Sequence, residues 1–397
     1  MARVERPGAI LSPTQRRAHL RPTLVRLLAA LFLISLFLPL VGAFFHWDPA
    51  GSSNENRRLA ELPSLPRSFR DLTLYPQRWL NFYRDHFGLR NILIRSVAIT
   101  RLHGLGDEMD GNVVIGKAGW LFLRNPGDEY FLAFRGLNPL SADQLKAWQD
   151  LLENRCAWLA AQGIPCLIVI PPDKATIYPE YMPPELALGR GKSPLDQLVD
   201  RLRRSHSPVH LLDLRPALLA AKSSGLLFHR TDTHWTDSGA FVGYRQIIYA
   251  VKSLLPQWKI APQTLDDFKV VPTGPEVGDL ARLMDMPDQY PDHDLGLIRK
   301  KPYPVPPELA DTRRVVTIDN HNPKLPRLVI YRDSFANALV PMLGPHFGHI
   351  VYAFQYTMDP ALIQAEKPDL VIDEFIERNL YLTPPVDPPP IHGFLAH

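Results

Sequence analysis

The chain has 397 residues and a formal net charge of +3. Residues 1–46 hold six arginines and one glutamate, so the rest of the chain sits near −2. The positive balance therefore belongs to the amino terminus, which argues against nucleic-acid binding, since that needs a basic patch on the folded part.

The first predicted element is apolar. Leu27 to Phe45 carries no charge over 19 residues, about 28 Å as a helix against a hydrocarbon core of about 30 Å. Arg3, Arg6, Arg16, Arg17, Arg21 and Arg26 precede it. The positive-inside rule then puts residues 1–26 in the cytoplasm and everything after Trp47 outside. A cleaved signal peptide is the alternative, with small residues at Val41-Gly42-Ala43. The uncleaved anchor is favoured because the run exceeds the usual h-region of about 7–15 residues.

Residues 46–75 read as a polar, Pro-containing linker. From residue 76 to about 101, Trp79, Phe82, Tyr83, Phe87 and Ile92 recur at helical steps. VVIGKAGWLFL, from Val113, predicts a hairpin. Ser141 predicts a helix cap, and Gly163 a stop after about Gln162. CLIVI (166–170) is a continuous apolar run, as in a strand buried on both faces. Cys156 and Cys166 lie about equally far from the Gly163 turn, so they are either a disulfide or two buried thiols; two cysteines so spaced do not suggest a metal site.

A helix near 194–204, a strand at VHLLDL (209–214) and a helix at 216–223 follow. Thr236 or Asp237 caps a helix through about Leu254. Residues 260–326 read as irregular and Pro-rich, with a short strand at RRVVTI. RLVIY (327–331), a helix at 335–343, HIVYAF (349–354), a helix at 360–366 and DLVIDEF (369–375) complete the rhythm. Strands alternating with helices predict an α/β fold, a parallel sheet flanked by helices. Such sheets bind ligands beyond the carboxyl ends of their strands. Residues 381–397 form a Pro-rich tail.

Two segments have the chemistry of covalent acyl transfer. FHRTDTHWTDSGA holds Asp232 and His234, and RLVIYRDSFANAL holds Ser334. Ser334 follows a buried-type strand and opens a predicted helix, where backbone N–H groups face a developing oxyanion. As a bare position it also fits a simple N-cap. His234 follows a strand-like run, LLFH, with Asp232 two residues before it. A carboxylate there can accept the imidazole Nδ1–H and leave the other nitrogen for the serine proton.

Lys174, in PPDKATIYP, is read as either a substrate contact or a structural ion pair. Trp235 either stacks on a sugar or joins the core. Glu377 and Arg378 are expected to pair structurally. Asp292-His293-Asp294 has metal-capable side chains, but its polar, Pro-rich setting favours a solvated loop. No Walker loop, dinucleotide fingerprint or metal-protease motif occurs.

DTHWTDSGA and the strand–D-S-F element resemble the alginate O-acetyltransferase family. ENRRLAELP, FYRDHFGLR, GKAGWLFL, VIPPDKATIYPEYMP and FIERNL fit in the same order. The resemblance spans roughly residues 54–380. It implies an SGNH-hydrolase-like domain, taken as 76–380, in the periplasm of a bacterial inner-membrane protein, acetylating an exopolysaccharide. It makes Asp232 the acid, His234 the base and Ser334 the nucleophile, with no metal or tightly bound cofactor. It also implies a polysaccharide acceptor and a multipass membrane acyltransferase that supplies acetyl groups.

One departure stands out. The family commonly has Gly-Asp-Ser, where this chain has Arg332-Asp333-Ser334. Either Arg332 keeps an allowed backbone conformation or the pocket differs. Its guanidinium is a candidate for an anionic sugar or a carbonyl oxygen, and Asn337 for the oxyanion. A carbohydrate esterase with the same triad, and a non-catalytic scaffold of a polysaccharide export complex, are the rival readings.

Overall fold

The computed structural model describes residues 22–45, 47, 60–66, 68–90, 92, 93, 96, 109, 110, 112–125, 129–274, 276–284, 286–310 and 315–396. The basic tail through residue 21, and residues 46, 48–59 and 67 of the expected linker, lie outside the described residues. The chain divides into two compact units, Met1–Thr100 and Arg101–His397.

In the first unit, α1 (Pro22–Phe44) is a 23-residue helix. Within it, Val25–Gly42 is long and apolar enough to cross a membrane, by length and composition. An anchor and a signal sequence both fit that test. The second helix, α2 (Phe69–His86), begins seven residues before its expected start, because Ser68 accepts the Asp71 N–H and caps it there.

The second unit is built on a six-stranded sheet. Its strands are β1 (Cys166–Ile170), β2 (Leu211–Asp213), β3 (Val315–Asp319), β4 (Arg327–Tyr331), β5 (His349–Ala353) and β6 (Leu370–Glu374). They lie in the order β3-β5-β4-β6-β1-β2. All neighbours are parallel except β3, which runs antiparallel along β5 at the edge. Counted from β4, the parallel strands follow the doubly wound order 2-1-3-4-5. The direction of winding reverses between β4 and β6, which is where such sheets open a crevice for ligands.

The sheet's two faces explain the continuous apolar runs. Ile168, Ile170, Val329, Val351 and Val371 pack on one side against α3 (Ala142–Ala160), α4 (Pro194–Arg204) and α7 (Pro360–Glu366). Leu167, Val169, Leu328, Ile330, Ile350 and Ile372 pack on the other against α5 (Arg215–Ala221) and α6 (Asp237–Leu254). Each such side chain, fully buried, contributes about 1.5–3 kcal/mol.

The caps are local. Ser141 and Gln144 form a reciprocal capping box on α3, and Gly163 takes a φ of 74° past its end. Cys156 and Cys166 are joined as a disulfide, with Cα atoms 5.3 Å apart. The expected hairpin is present as Val113–Ile115 paired with Leu121–Leu123, and Met109–Asp110 adds a third, unforeseen strand.

Three expectations change. The helix expected at 335–343 is a 3-10 helix, Ser334–Leu339, followed by the short α-helix Val340–Leu343. LLFH is not a strand; Phe228 forms only an isolated bridge to Trp235, so His234 sits on a closed loop. Residues 260–326 are less irregular than expected. Phe268–Pro272 pairs with Leu295–Arg299, Glu276–Val277 pairs with Pro291–Asp292, and Asp279–Leu283 is helical.

Candidate active site

Ser334 stands three residues beyond β4, beside the reversal in strand order. Its turn is set by its neighbour Asp333, which is buried. Asp333 Oδ1 accepts the Phe335 N–H and its Oδ2 accepts the Ile376 N–H from the segment after β6. The Asp333 N–H in turn donates to Glu374. Burial, then the Asp333 charge, pushes the Glu374 carboxyl well above its ordinary range. Asp333 was not singled out in the sequence; its place beside the serine, at the end of a strand, was the available signal.

The loop from His229 to Trp235 brings the histidine to this turn. Ser334 Oγ lies 2.7 Å from His234 Nε2, and His234 Nδ1 lies 2.6 Å from Asp232 Oδ1. The three side chains thus form one hydrogen-bonded line, the arrangement a general base needs to take a serine proton. Burial pushes the Asp232 carboxyl up, but the hydrogen bonds and charge of His234 overbalance it. Asp232 is held well below the usual carboxylate range and stays ionised.

Two aromatic residues join the halves. Trp235 donates its indole N–H to the Phe335 carbonyl at 3.0 Å, and the His234 and Phe335 rings lie 4.9 Å apart. Trp235 is 2% exposed, so it packs as core and has no face for a sugar.

The loop is held from two further sides. Lys174 Nζ donates to the carbonyls of His229, Arg230 and Asp232 at 2.8–3.2 Å. All three ammonium protons are thereby used on backbone, and neither a sugar contact nor the expected ion pair is formed. Burial pulls Lys174 down to about 8, against the opposing charges of Asp279, Asp232 and Asp292.

Asp279, from the segment that had no expected role, acts on the other side. Its N–H donates to Asp232 Oδ2 at 2.8 Å, and its carboxylate accepts the Thr233 N–H and hydroxyl. Leu280 N–H adds a bond to the Thr231 carbonyl. Asp279 lies 46 residues from Thr233 in a stretch without periodicity, and Gly278-Asp279 ahead of a short apolar run was the only signal.

Arg332 avoids the left-handed region and is fully buried. It donates to the carbonyls of Asp333 and Leu309 and to Asn337 Oδ1. The guanidinium therefore braces the serine turn from behind and does not present itself to a substrate. Asn337 is exposed, with its oxygen taken by Arg332. Arg378 pairs with Asp173 at 2.6 Å and not with Glu377, whose nearest cation is Arg215 at 3.8 Å. Arg378 also lies 5.5 Å over the Phe335 ring. A recess bordered by Thr233, Arg378, Tyr130, Phe131, Phe134 and Tyr381 adjoins this pair.

Among the described residues, two sets of side chains are close enough to hold a cation. In Asp232, His234 and Asp279 every oxygen and ring nitrogen already has a partner. The other set is His229, Asp292 and Asp294. Here the expected solvated loop is corrected: Asp292 and Asp294 are buried, and only His293 between them faces out.

The chain is similar to several known proteins. Residues 113–299 match the family described as "SGNH hydrolase-like domain, acetyltransferase AlgX", a span that holds Asp232 and His234 and ends before Ser334. A protein of Azotobacter vinelandii described as "probable alginate O-acetylase AlgJ" is 28% identical over 68% of this chain and 69% of its own. One of the same description from Pseudomonas syringae pv. tomato is 31% identical over 46% of this chain and 44% of its own. The structure of Bacillus cereus PatB1 has a TM-score of 0.52 at 15% identity, over 68% of this chain and 97% of that one. The SGNH-like α/β fold and the resemblance read from the motifs both stand.

Proposed function

We propose, from a chain that resembles the alginate O-acetyltransferases and has their SGNH-like domain, that it moves acetyl groups onto hydroxyls of an exported polysaccharide through a serine ester. The observation that supports this most is the unbroken line from Asp232 through His234 to Ser334, with links of 2.6 and 2.7 Å.

In the first half-reaction His234 Nε2 takes the Ser334 proton as Oγ attacks the acetyl carbonyl. The tetrahedral oxyanion faces the start of the 3-10 helix, where the Ser334 N–H is the expected donor. The donor's leaving group departs with the proton held by His234. In the second half a polymer hydroxyl gives its proton to His234 and attacks the ester, which frees Ser334. Asp232 holds the imidazolium in both halves. Lys174 and Asp279 are positioning residues that act through the loop.

Read as an anchor, α1 supports a periplasmic location. An anchor with a basic cytoplasmic tail puts the second unit, Arg101–His397, in the periplasm as the acetyltransferase domain. Acetyl groups would then come through the inner membrane from a multipass acyltransferase partner.

The test uses the full chain in detergent, an activated acetyl ester and a panel of oligosaccharides, with products read by mass spectrometry. Acetylated sugar from wild type and none from Ser334→Ala is the expected result. Ester loss that depends on Ser334 but never yields acetylated sugar would replace transfer by esterase action. Equal products from both proteins would remove the triad and leave the scaffold reading.

A further inference from the structure

The carboxylates behind the histidine loop are unusual in what they lack. Asp292 is 2% exposed and Asp294 8%. Asp292 Oδ2 accepts the Thr231 N–H and hydroxyl, both at 2.7 Å. Asp294 Oδ2 contacts His229 Nδ1. The second oxygen of each, Oδ1, is buried with no hydrogen-bond partner. Buried carboxylate oxygens without a donor are costly, and native structures rarely keep them unless something else binds there.

The obvious cation is already occupied. Lys174 spends its three protons on the carbonyls of His229, Arg230 and Asp232. Among the described residues neither aspartate forms a salt bridge with an arginine or lysine. The chain presents the pair deliberately: residues 291–295 alternate exposed and buried, so Asp292 and Asp294 share the inner face with Gly296 and His293 does not. His229, Asp292 and Asp294 each offer a ligand atom within 4.8 Å of the others. The contrast with Asp232 and Asp279, whose oxygens all have donors, is direct.

We propose that His229, Asp292 and Asp294 bind one divalent cation of the zinc or manganese class, at a site separate from the Ser334 line. One imidazole with two carboxylates suits these first-row ions better than magnesium or calcium, which prefer all-oxygen shells. Three protein ligands leave room for water, and a cleft bordered by Asp294, His293, Leu295 and Arg230 gives it access. The role is structural. The ion joins the start of the loop carrying Asp232 and His234 to the 291–299 segment, and through Thr231 and Asp292 it stiffens the approach to the histidine. Nothing in this depends on which acyl acceptor the protein uses.

The test takes the full chain in detergent, strips it with a chelator and titrates Zn2+ or Mn2+ alone by calorimetry, with Mg2+ and Ca2+ in parallel. We expect one ion per chain and a rise in Tm of about 4 °C at hundredfold excess over Kd. Asp294→Asn and His229→Gln each weaken binding by about 100-fold or more, beyond what loss of an outer partner costs, while Asp279→Asn leaves it unchanged. Near-UV circular dichroism selects folded variants, and the wild-type titration decides the matter if neither variant folds. No saturable binding of zinc or manganese overturns the proposal. So does equal binding by either folded ligand variant, or a preference for magnesium or calcium.

Discussion

Gly278 shows how little space the histidine loop leaves. A β-carbon built there would stand 2.1 Å from the Thr231 oxygen and 2.2 Å from its carbonyl carbon. Those are backbone atoms, which cannot rotate aside. Gly278→Ala must therefore push the 278–281 segment away, stretching the Asp279 N–H bond to Asp232 and the Leu280 bond to Thr231. On the proposed mechanism, a displacement near 1 Å at Asp232 costs about 100-fold in rate, and overpacking costs about 1–3 kcal/mol of stability. We expect kcat/KM for acetyl transfer to fall by that order in Gly278→Ala. Urea unfolding should show that most of the protein is still folded at assay temperature. Asp232, His234 and Ser334 were legible because each residue type has a role in acyl transfer and stands at a turn. Asp279, Asp333 and Lys174 were less so, because their task is to hold backbone, and many residue types in many settings do that.

At the scale of elements, the strands read well and the connections poorly. CLIVI, RLVIY and DLVIDEF are buried on both faces, so burial alone forces an apolar run. The loop at His234 has no period to detect, and its form depends on partners up to 100 residues away, as in the His234–Ser334 and Trp235–Phe335 contacts. One inter-element contact gives a pH signature. On α6, the Tyr244 hydroxyl accepts the Gln263 N–H and lies 2.6 Å from His346 Nε2, which accepts its proton only when neutral. Burial, then the Arg299 charge, pulls His346 down to about 4. A depressed folded value means that the stability is complete above about pH 6.5 and is lost as pH falls toward 4. At pH 5 the loss is about 2 kcal/mol. Urea unfolding at pH 7 and pH 5 should show this drop in wild type. His346→Gln, which keeps an acceptor but does not titrate, should flatten it. A slope unchanged by the substitution would mean that other groups cause the acid sensitivity.

Over the whole molecule, the chain's far end is fastened to its core by charge. Arg155 on α3 donates to Asp373 on β6 at 2.6 Å and to both oxygens of Asp387 at 2.6 and 2.8 Å. All three are nearly fully buried. Asp387 also accepts the Met358 N–H, and Ile391 is fully buried beyond it. The Pro-rich stretch from residue 381 is thus an ordered part of the second unit. A buried ion cluster is not strongly stabilising in itself, because desolvation offsets the attraction. Breaking it is another matter, since Arg155 would keep its charge with half its partners gone. Asp387→Ala should cost about 3 kcal/mol, measured by urea unfolding, and should expose the chain after residue 381 to proteolysis before the rest of the unit opens. Replacing Arg155, Asp373 and Asp387 together with apolar residues of similar volume should recover most of that loss. If Asp387→Ala costs under about 0.5 kcal/mol, the range of an exposed pair, then water reaches Arg155 and the end of the chain is not held by this cluster.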